Sequence, residues 1–337
     1  MKTKPKILFI GEGVVSDSVR LNLPGNEMAA LELADVDFYT IRNQEEAKKR
    51  IIGVRDEPDV LVFSRPHALE VMQKCKEIGK PMIVDMDDDF RSIPKHHPGY
   101  MAVGLGNLPY LERLEECIKL GDLLTVTTSE LAKRLDCLNP KQRIIPNGWS
   151  SRNPLMRWKR NQYKDKFILG WAGTITHRED FKLCLNAIKF TLKKYPQTMI
   201  HIGGDLAIYD YFKTVPESQK LYTPMLPFNL YPTMLGYWDL LLAPLIDDEF
   251  NRGKSDIKLV DAVAKGIPWV ASYVTPYLDW FGGIYATHEE DWKQALGSLF
   301  CDPALRRNLV AIGQHRAEER EMGNLVMDWF SAVRSLL

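Results

Sequence analysis

Short apolar runs of strand length recur along this chain with helix-like segments between them, and the series runs through twice. The first set is Lys6–Gly11, Val36–Ile41, Val60–Ser64, Met82–Asp85, Leu123–Thr127 and Arg143–Ile145. After the polar, basic stretch SSRNPLMRWKRNQYKDK the series restarts with Phe167–Trp171, Met199–Ile202, Leu240–Pro244, Pro268–Ser272 and Gly283–Ala286. Strands separated by helices pair in parallel, because each connection has to cross back over the sheet. The order predicts an α/β chain of two Rossmann-like, doubly wound domains, residues 1–150 and 151–323, joined by a linker near 149–165. The 337 residues suffice for two cores. Two such domains are expected to face each other across a cleft at the carboxyl ends of their strands, where open α/β sheets bind ligands. The last segment, 324–337, carries Leu325, Trp329 and Val333 on one helical stripe.

The window from Leu242 to Ser272 holds the most chemistry. Leu240, Leu241, Leu242, Ala243 and Leu245 suit a strand buried on both faces, and Ser255-Asp256 reads as an N-cap and first turn, so a helix is expected to begin near Ser255. A helix N-terminus offers free N–H groups and a partial positive charge; with Lys254 and Lys258 alongside, it suits an anion such as a diphosphate. Lys254, Lys258, Asp261 and Lys265 also fit one solvated helical face.

The charges balance, 44 basic against 44 acidic. That argues against broad capture of nucleic acid or an anionic membrane, and leaves only Arg157-Trp158-Lys159-Arg160 as a local basic patch. Cys75, Cys117, Cys137, Cys184 and Cys301 form no CxxC pair and read as reduced residues of a cytoplasmic protein. No run approaches the roughly 20 apolar residues that span a bilayer, and MKTKPK leads straight into KILFIG, so a soluble protein with no transmembrane segment is expected.

In the first half, Gly11-Glu12-Gly13 follows the first strand, but Ser16 stands at the third glycine position of G-x-G-x-x-G, so a nicotinamide-nucleotide fingerprint fails. Arg20 and Asn22 beyond it read as surface positions. Met82-Ile83-Val84 runs into Asp85-Met86-Asp87-Asp88-Asp89, and carboxylates this close raise one another's pKa. Three uses are open: Asp85 and Asp87 on Mg²⁺ or Mn²⁺ in a site that resembles the D-x-D site of GT-A glycosyltransferases; Asp87 or Asp88 orienting or deprotonating an acceptor hydroxyl, or backing the sugar, in a segment that resembles the D-x-D-D pattern of some family 4-like glycosyltransferases; or capping and pairing with Arg65 or Arg91. Arg65-Pro66-His67 ends the preceding strand and opens on the same face. Ser92–Pro109 is longer than an ordinary connection and reads as a mobile or partly disordered acceptor loop, with His96 and His97 diverging.

Asp261-Ala262-Val263-Ala264-Lys265-Gly266-Ile267-Pro268 resembles the E-A-x-A-x-G-x-P pattern in the second domain of GT-B fold glycosyltransferases, family 4 in particular. Ile145-Pro146-Asn147-Gly148 is similar to the segment that closes their first domain, and Gly170-Trp171-Ala172-Gly173-Thr174 to the first strand and turn of their second. The resemblance implies retaining transfer of a sugar from a nucleoside diphosphate sugar to a hydroxyl acceptor, whether glycan, lipid-linked or small molecule, with no cofactor. It implies that Asp261 holds the donor ribose, that the Gly173-Thr174 turn approaches the donor phosphates, that His177 and Arg178 contact phosphate or sugar, and that Lys254, Ser255 and Lys258 serve the diphosphate. Because the fold needs no metal for its donor, a divalent ion is not expected, and Asp88 and then Asp87 become the catalytic candidates, with His67 beside them. The last helix would cross back to the first domain.

The chain departs from the pattern twice: Asp261 replaces Glu, and Gly253 stands where the partner acidic residue belongs, leaving Asp248 or Glu249 to reach in. A phage-type DNA-base glycosyltransferase, a sugar-nucleotide epimerase or phosphorylase, and a non-catalytic sugar-nucleotide-binding protein remain as alternatives.

Overall fold

A computed structural model of the chain describes residues 4–42, 46–47, 49, 51, 58–160 and 162–337. Residue 161, inside the expected linker, lies outside them. The described residues form two six-stranded sheets, each in its own compact unit. Unit 1 comprises Met1–Trp149, Gly253–Ser255 and Arg320–Leu337; unit 2 comprises Ser150–Arg252 and Asp256–Glu319.

Unit 1 contains β1 (Lys6–Gly11), β2 (Asp35–Thr40), β3 (Val60–Ser64), β4 (Met82–Met86), β5 (Leu123–Val126) and β6 (Gln142–Ile144), all parallel, in the order β2-β1-β3-β4-β5-β6. Unit 2 contains β7 (Phe167–Gly173), β8 (Thr198–Gly204), β9 (Lys220–Pro224), β10 (Leu240–Ala243), β11 (Trp269–Ser272) and β12 (Gly283–Ala286), also parallel, in the order β12-β11-β10-β7-β8-β9. Counted from its own first strand, the second sheet has the dinucleotide-fold order 3-2-1-4-5-6. In both sheets the chain reverses its direction of travel once, between β1 and β3 and between β7 and β10. Connections leave to opposite faces there, opening a crevice at the strand ends.

β3 and β4 are buried at every position, as expected of strands covered on both faces. The core of unit 1 gathers Ile7, Phe9, Val60, Val62 and Ile83 against Val326, Trp329, Ala332 and Val333 of the helix Met322–Arg334. The last helix therefore completes this core.

Four expectations need correction. β9 is not among the predicted strands. KLYTP carries a lysine at one end and a proline at the other, and only Lys220 is buried, as suits a sheet edge. The helix expected near Ser255 runs Ile257–Ala264, one to two residues later. The Ser255 hydroxyl accepts from Asn147 Nδ2 at 2.8 Å, and the Asp256 carboxylate accepts from Trp280 Nε1 at 2.7 Å, so tertiary partners take both groups from the local cap. Ser92–Pro109 is not an irregular loop: it closes into a helical turn at Tyr100–Val103, and Asn107 then caps the helix Leu108–Leu120.

The fourth correction concerns Arg20, which is 1% exposed rather than on the surface. Its Nε and Nη2 donate to the two oxygens of fully buried Asp85 at 3.0 and 2.5 Å, its Nη1 donates to the Ile145 carbonyl at 2.7 Å and to Asn147 Oδ1 at 3.1 Å, and its guanidinium lies 4.8 Å from the centre of the Trp329 ring. Thr125 Oγ1 adds a donor to Asp85 at 2.7 Å. No described helix is long and apolar enough to cross a membrane, and all five cysteines are free. Removing one member of a buried bidentate pair leaves an uncompensated charge, so Arg20→Met should lower the stability of unit 1 by about 3–5 kcal/mol in urea unfolding followed by tryptophan fluorescence. A loss below about 1 kcal/mol would contradict the central place of this pair.

Candidate functional site

In unit 1 the crevice residues follow β1, β3 and β4. The four carboxylates in and just after the end of β4 do not act as one cluster, because each has its own partner. Asp85 belongs to Arg20, so it is not open to a cation in a D-x-D site. Asp89 accepts from the Arg91 backbone N–H at 3.1 Å, capping the turn Phe90–Ser92, and pairs with Arg134 at 3.3 Å. Asp87 Oδ1 lies 3.4 Å from Arg65 Nε. Asp88 pairs with Lys254 Nζ at 3.1 Å. Burial pushes the Asp88 carboxyl above its ordinary range, with Asp87 adding to the rise, while Lys254 and Arg65 pull it back. No group of three or more described His, Cys, Asp or Glu residues is placed to hold a metal ion.

Arg65 has φ +49, a left-handed backbone that non-glycine residues rarely adopt, at the very end of β3. The conformation is held by its N–H on the Asp85 carbonyl at 2.9 Å, its guanidinium 4.6 Å over the Phe90 ring and its Nη1 on Ser16 Oγ at 3.0 Å. His67 Nδ1 is hydrogen-bonded to Glu12, which raises the imidazole pKa and leaves Nε2 as the nitrogen for a ligand. Tyr110 stands 6.0 Å from the His67 ring with its hydroxyl pushed up to about 12 by burial. Gly253 places its carbonyl on Thr128 Oγ1 at 3.0 Å, which positions Lys254 next to it.

In unit 2 the crevice residues follow β7 and β10. Gly173 ends β7 with no room for a side chain, since a Cβ there would sit 2.7 Å from the Trp171 ring. Thr174 Oγ1 is 2.7 Å from Thr176 Oγ1. His177 and Arg178 open the helix Arg178–Lys194. His177 Nδ1 meets Asp180 at 2.8 Å, and Arg178 makes a bidentate pair with Asp205 at 2.5 and 2.8 Å. Burial favours neutral Asp180, but His177, the Ile246 N–H and Lys258 prevail and hold its pKa low. Lys258 Nζ lies 5.5 Å from the centre of the Trp171 ring, a cation held over an aromatic face in the first turn of its helix.

Asp261, one turn further on, differs from the other acidic groups. Its carboxylate makes no hydrogen bond or ion pair among the described residues, and burial together with the nearby Asp256 charge pushes its carboxyl up to about 8. Tyr231 is close enough for the Asp261 charge to raise its own pKa further above a value already lifted by burial. Asp248 Oδ1 accepts from the Asn251 N–H at 2.8 Å, at the start of the helical turn Glu249–Arg252.

Sequence reasoning missed Asp17, Glu12, Asp180, Asp205 and Tyr231. Only Glu12, between two glycines after a strand, gave a local signal.

No family model matches the sequence, and no curated protein matches it either. Solved structures match it along its whole length. Sucrose-phosphate synthase from Thermosynechococcus elongatus superposes with a TM-score of 0.70 at 11% identity over 99% of each chain. A trehalose-6-phosphate structure from E. coli bound with UDP-2-fluoro glucose gives 0.72 at 10% identity over 98% of this chain and 99% of that one. A Listeria monocytogenes protein described as a UDP-N-acetylglucosamine 2-epimerase gives 0.64 at 11% identity over 99% and 96%. At such identities the likeness is one of fold: the chain has the GT-B fold, built of two Rossmann-like domains.

The state of Asp261 has a measurable consequence. Its pKa is higher folded than unfolded, so between about pH 4 and 8 the folded protein binds more protons than the unfolded chain, and stability falls as pH rises through that window. Asp261→Asn should therefore raise Tm by an amount that grows from pH 5 to pH 9, at roughly 2–4 °C per kcal/mol removed. A shift independent of pH would show that the carboxylate is not strained.

Proposed function

We propose that the protein transfers a sugar from a nucleoside diphosphate sugar to a hydroxyl acceptor with retention of anomeric configuration, acting in the cytoplasm. Asp261 is the observation that carries this. A desolvated carboxylate without a hydrogen-bond partner costs stability, and such groups persist where a ligand satisfies them. A vicinal diol such as that of ribose offers two hydroxyl donors to one carboxylate. The fold supports the same conclusion, since one chain that shares it is bound with UDP-2-fluoro glucose and another is a sucrose-phosphate synthase.

In this mechanism unit 2 takes the donor. The start of the helix Ile257–Ala264 and Lys258 stabilise the charge that grows on the departing diphosphate, while Gly173 and Thr174 bring backbone close to it. Arg178 and His177, fixed by Asp205 and Asp180, line the same strand end. Unit 1 takes the acceptor. Asp88, assisted by Asp87, orients the hydroxyl and receives its proton; burial makes it a stronger base than a free aspartate. Lys254, with Ser255 beside it, holds Asp88 in place, and His67 Nε2 is a further contact for the sugar. No step calls for a metal.

For a DNA-base acceptor, two residues of the basic patch are already engaged within the protein, Arg160 with Asp239 at 2.7 Å and Lys159 Nζ with the Lys265 carbonyl at 3.0 Å, so the patch adds less support to that reading.

Thermal-shift measurements against UDP, GDP, ADP, TDP and CMP and their sugars should show selective stabilisation by one diphosphate, with or without Mg²⁺. No response to any of them would overturn the proposal. Once the donor is known, Lys258→Ala should lower kcat at least about 100-fold with an unchanged circular-dichroism spectrum, and proton NMR of the product should show the donor's anomeric configuration. Turnover of the nucleotide sugar without any hydroxyl acceptor would instead favour an epimerase.

A further inference from the structure

The turn after β1 is built to hold an anion and already holds one. The backbone N–H groups of Glu12, Gly13 and Val14 converge on a single oxygen of Asp17, at 2.9, 2.8 and 3.1 Å. Three consecutive N–H donors on one oxygen form a nest, the backbone arrangement that binds phosphate and carboxylate groups. The glycines on either side of Glu12 serve this closure. A Cβ on Gly11 would sit 2.5 Å from the Asp17 carboxylate, and Gly13 has φ +80. The side chain of Asp17 is 7% exposed, its other oxygen is buried with no hydrogen-bond partner, and no cation pairs with it among the described residues. All its described hydrogen bonding is thus directed at the turn.

The charges nearby act in the same direction. At the carboxyl ends of β1, β3 and β4 stand Glu12, Asp17, Asp87 and Asp88, against Arg65 and Lys254, with His67 held on Glu12. Even with His67 protonated, this end of the sheet carries more negative than positive charge, and a carboxylate buried without a counter-ion is screened poorly by water.

We propose that Asp17 is a specificity-determining residue that fills the anion nest of unit 1 with its own carboxylate, so that unit 1 rejects phosphorylated ligands and takes a neutral polyhydroxyl compound. The proposal rests on the reading of unit 1 as the acceptor side and narrows that acceptor to a hydroxyl compound without a phosphate at this turn.

Asp17→Ser removes the internal anion and leaves the three N–H groups free. Calorimetric titration with inorganic phosphate and with glucose 6-phosphate should show a binding event in this variant that is at least about tenfold tighter than any in the wild-type protein, the scale of one lost charge-assisted contact. Equal affinity in the two proteins overturns the proposal. Should Asp17→Ser fail to fold, Asp17→Asn keeps an acceptor oxygen on the turn but drops the charge, and must still bind phosphate more tightly than wild type; equality again overturns it. With the donor in hand, wild type should use neutral sugars and polyols in preference to glucose 6-phosphate, and the reverse preference would sink the idea. If no hydroxyl compound accepts sugar at all, the glycosyl-transfer reading fails, while the phosphate titration still decides the role of Asp17.

Discussion

The buried pair between Arg20 and Asp85 organises unit 1. Two full charges inside a core are tolerable only when every donor and acceptor is placed. Here the guanidinium reaches both carboxylate oxygens, the Ile145 carbonyl and Asn147 while lying on Trp329. One side chain thereby ties the segment after β1 to β4, to the strand that closes the sheet and to the last helix. It also determines what the later aspartates can do. Since Asp85 is claimed inward and Asp89 caps its own turn, only Asp87 and Asp88 are left for the proposed chemistry, and each of them meets a cation of its own.

The two halves of the proposed chemistry have opposite electrostatic characters. Unit 1 presents carboxylates in slight excess at its strand ends, a setting for neutral hydroxyl groups and for proton acceptance. Unit 2 presents a helix start and Lys258, a setting for a diphosphate, with a single costly carboxylate one turn beyond. The sheet orders help explain why both sets fall where they do: Gly173 and Lys258 follow the two strands at which the second sheet reverses direction, and the unit 1 set begins at the reversal between β1 and β3 and extends to the end of the neighbouring β4.

Much of the fold was legible in the sequence because parallel strands buried on both faces leave unmistakable apolar runs, as in VLVFS and MIVDM. β9 was not, since an edge strand half open to water has no such run. Side-chain assignments were legible only where chemistry and backbone coincide in one short segment. The aspartates after β4 announced themselves, yet their division among Arg20, Arg65, Lys254 and Arg134 depends on residues about 20 to 170 positions away. Arg20 looked like a surface residue because nothing local reports that a carboxylate waits in the core. The cap at Ser255 failed for the same reason, since Asn147 and Trp280 compete for the polar groups that local propensity assigns to the helix.

Neither unit is a continuous stretch of chain. The polypeptide passes from one to the other four times, and the three residues Gly253–Ser255 belong to unit 1 although unit 2 precedes and follows them. A second half, residues 150–319, exchanged with that of a distant relative would therefore bring in a foreign residue opposite Asp88 and a foreign hydroxyl for Asn147, while the final helix would have to be kept with the first half. Recombination at the single junction near residue 150 would break three sets of contacts at once. Diversification of such a chain is thus expected to proceed by point substitution within each half, with the junction residues 253–255 changing in step with the first half to which they are bonded.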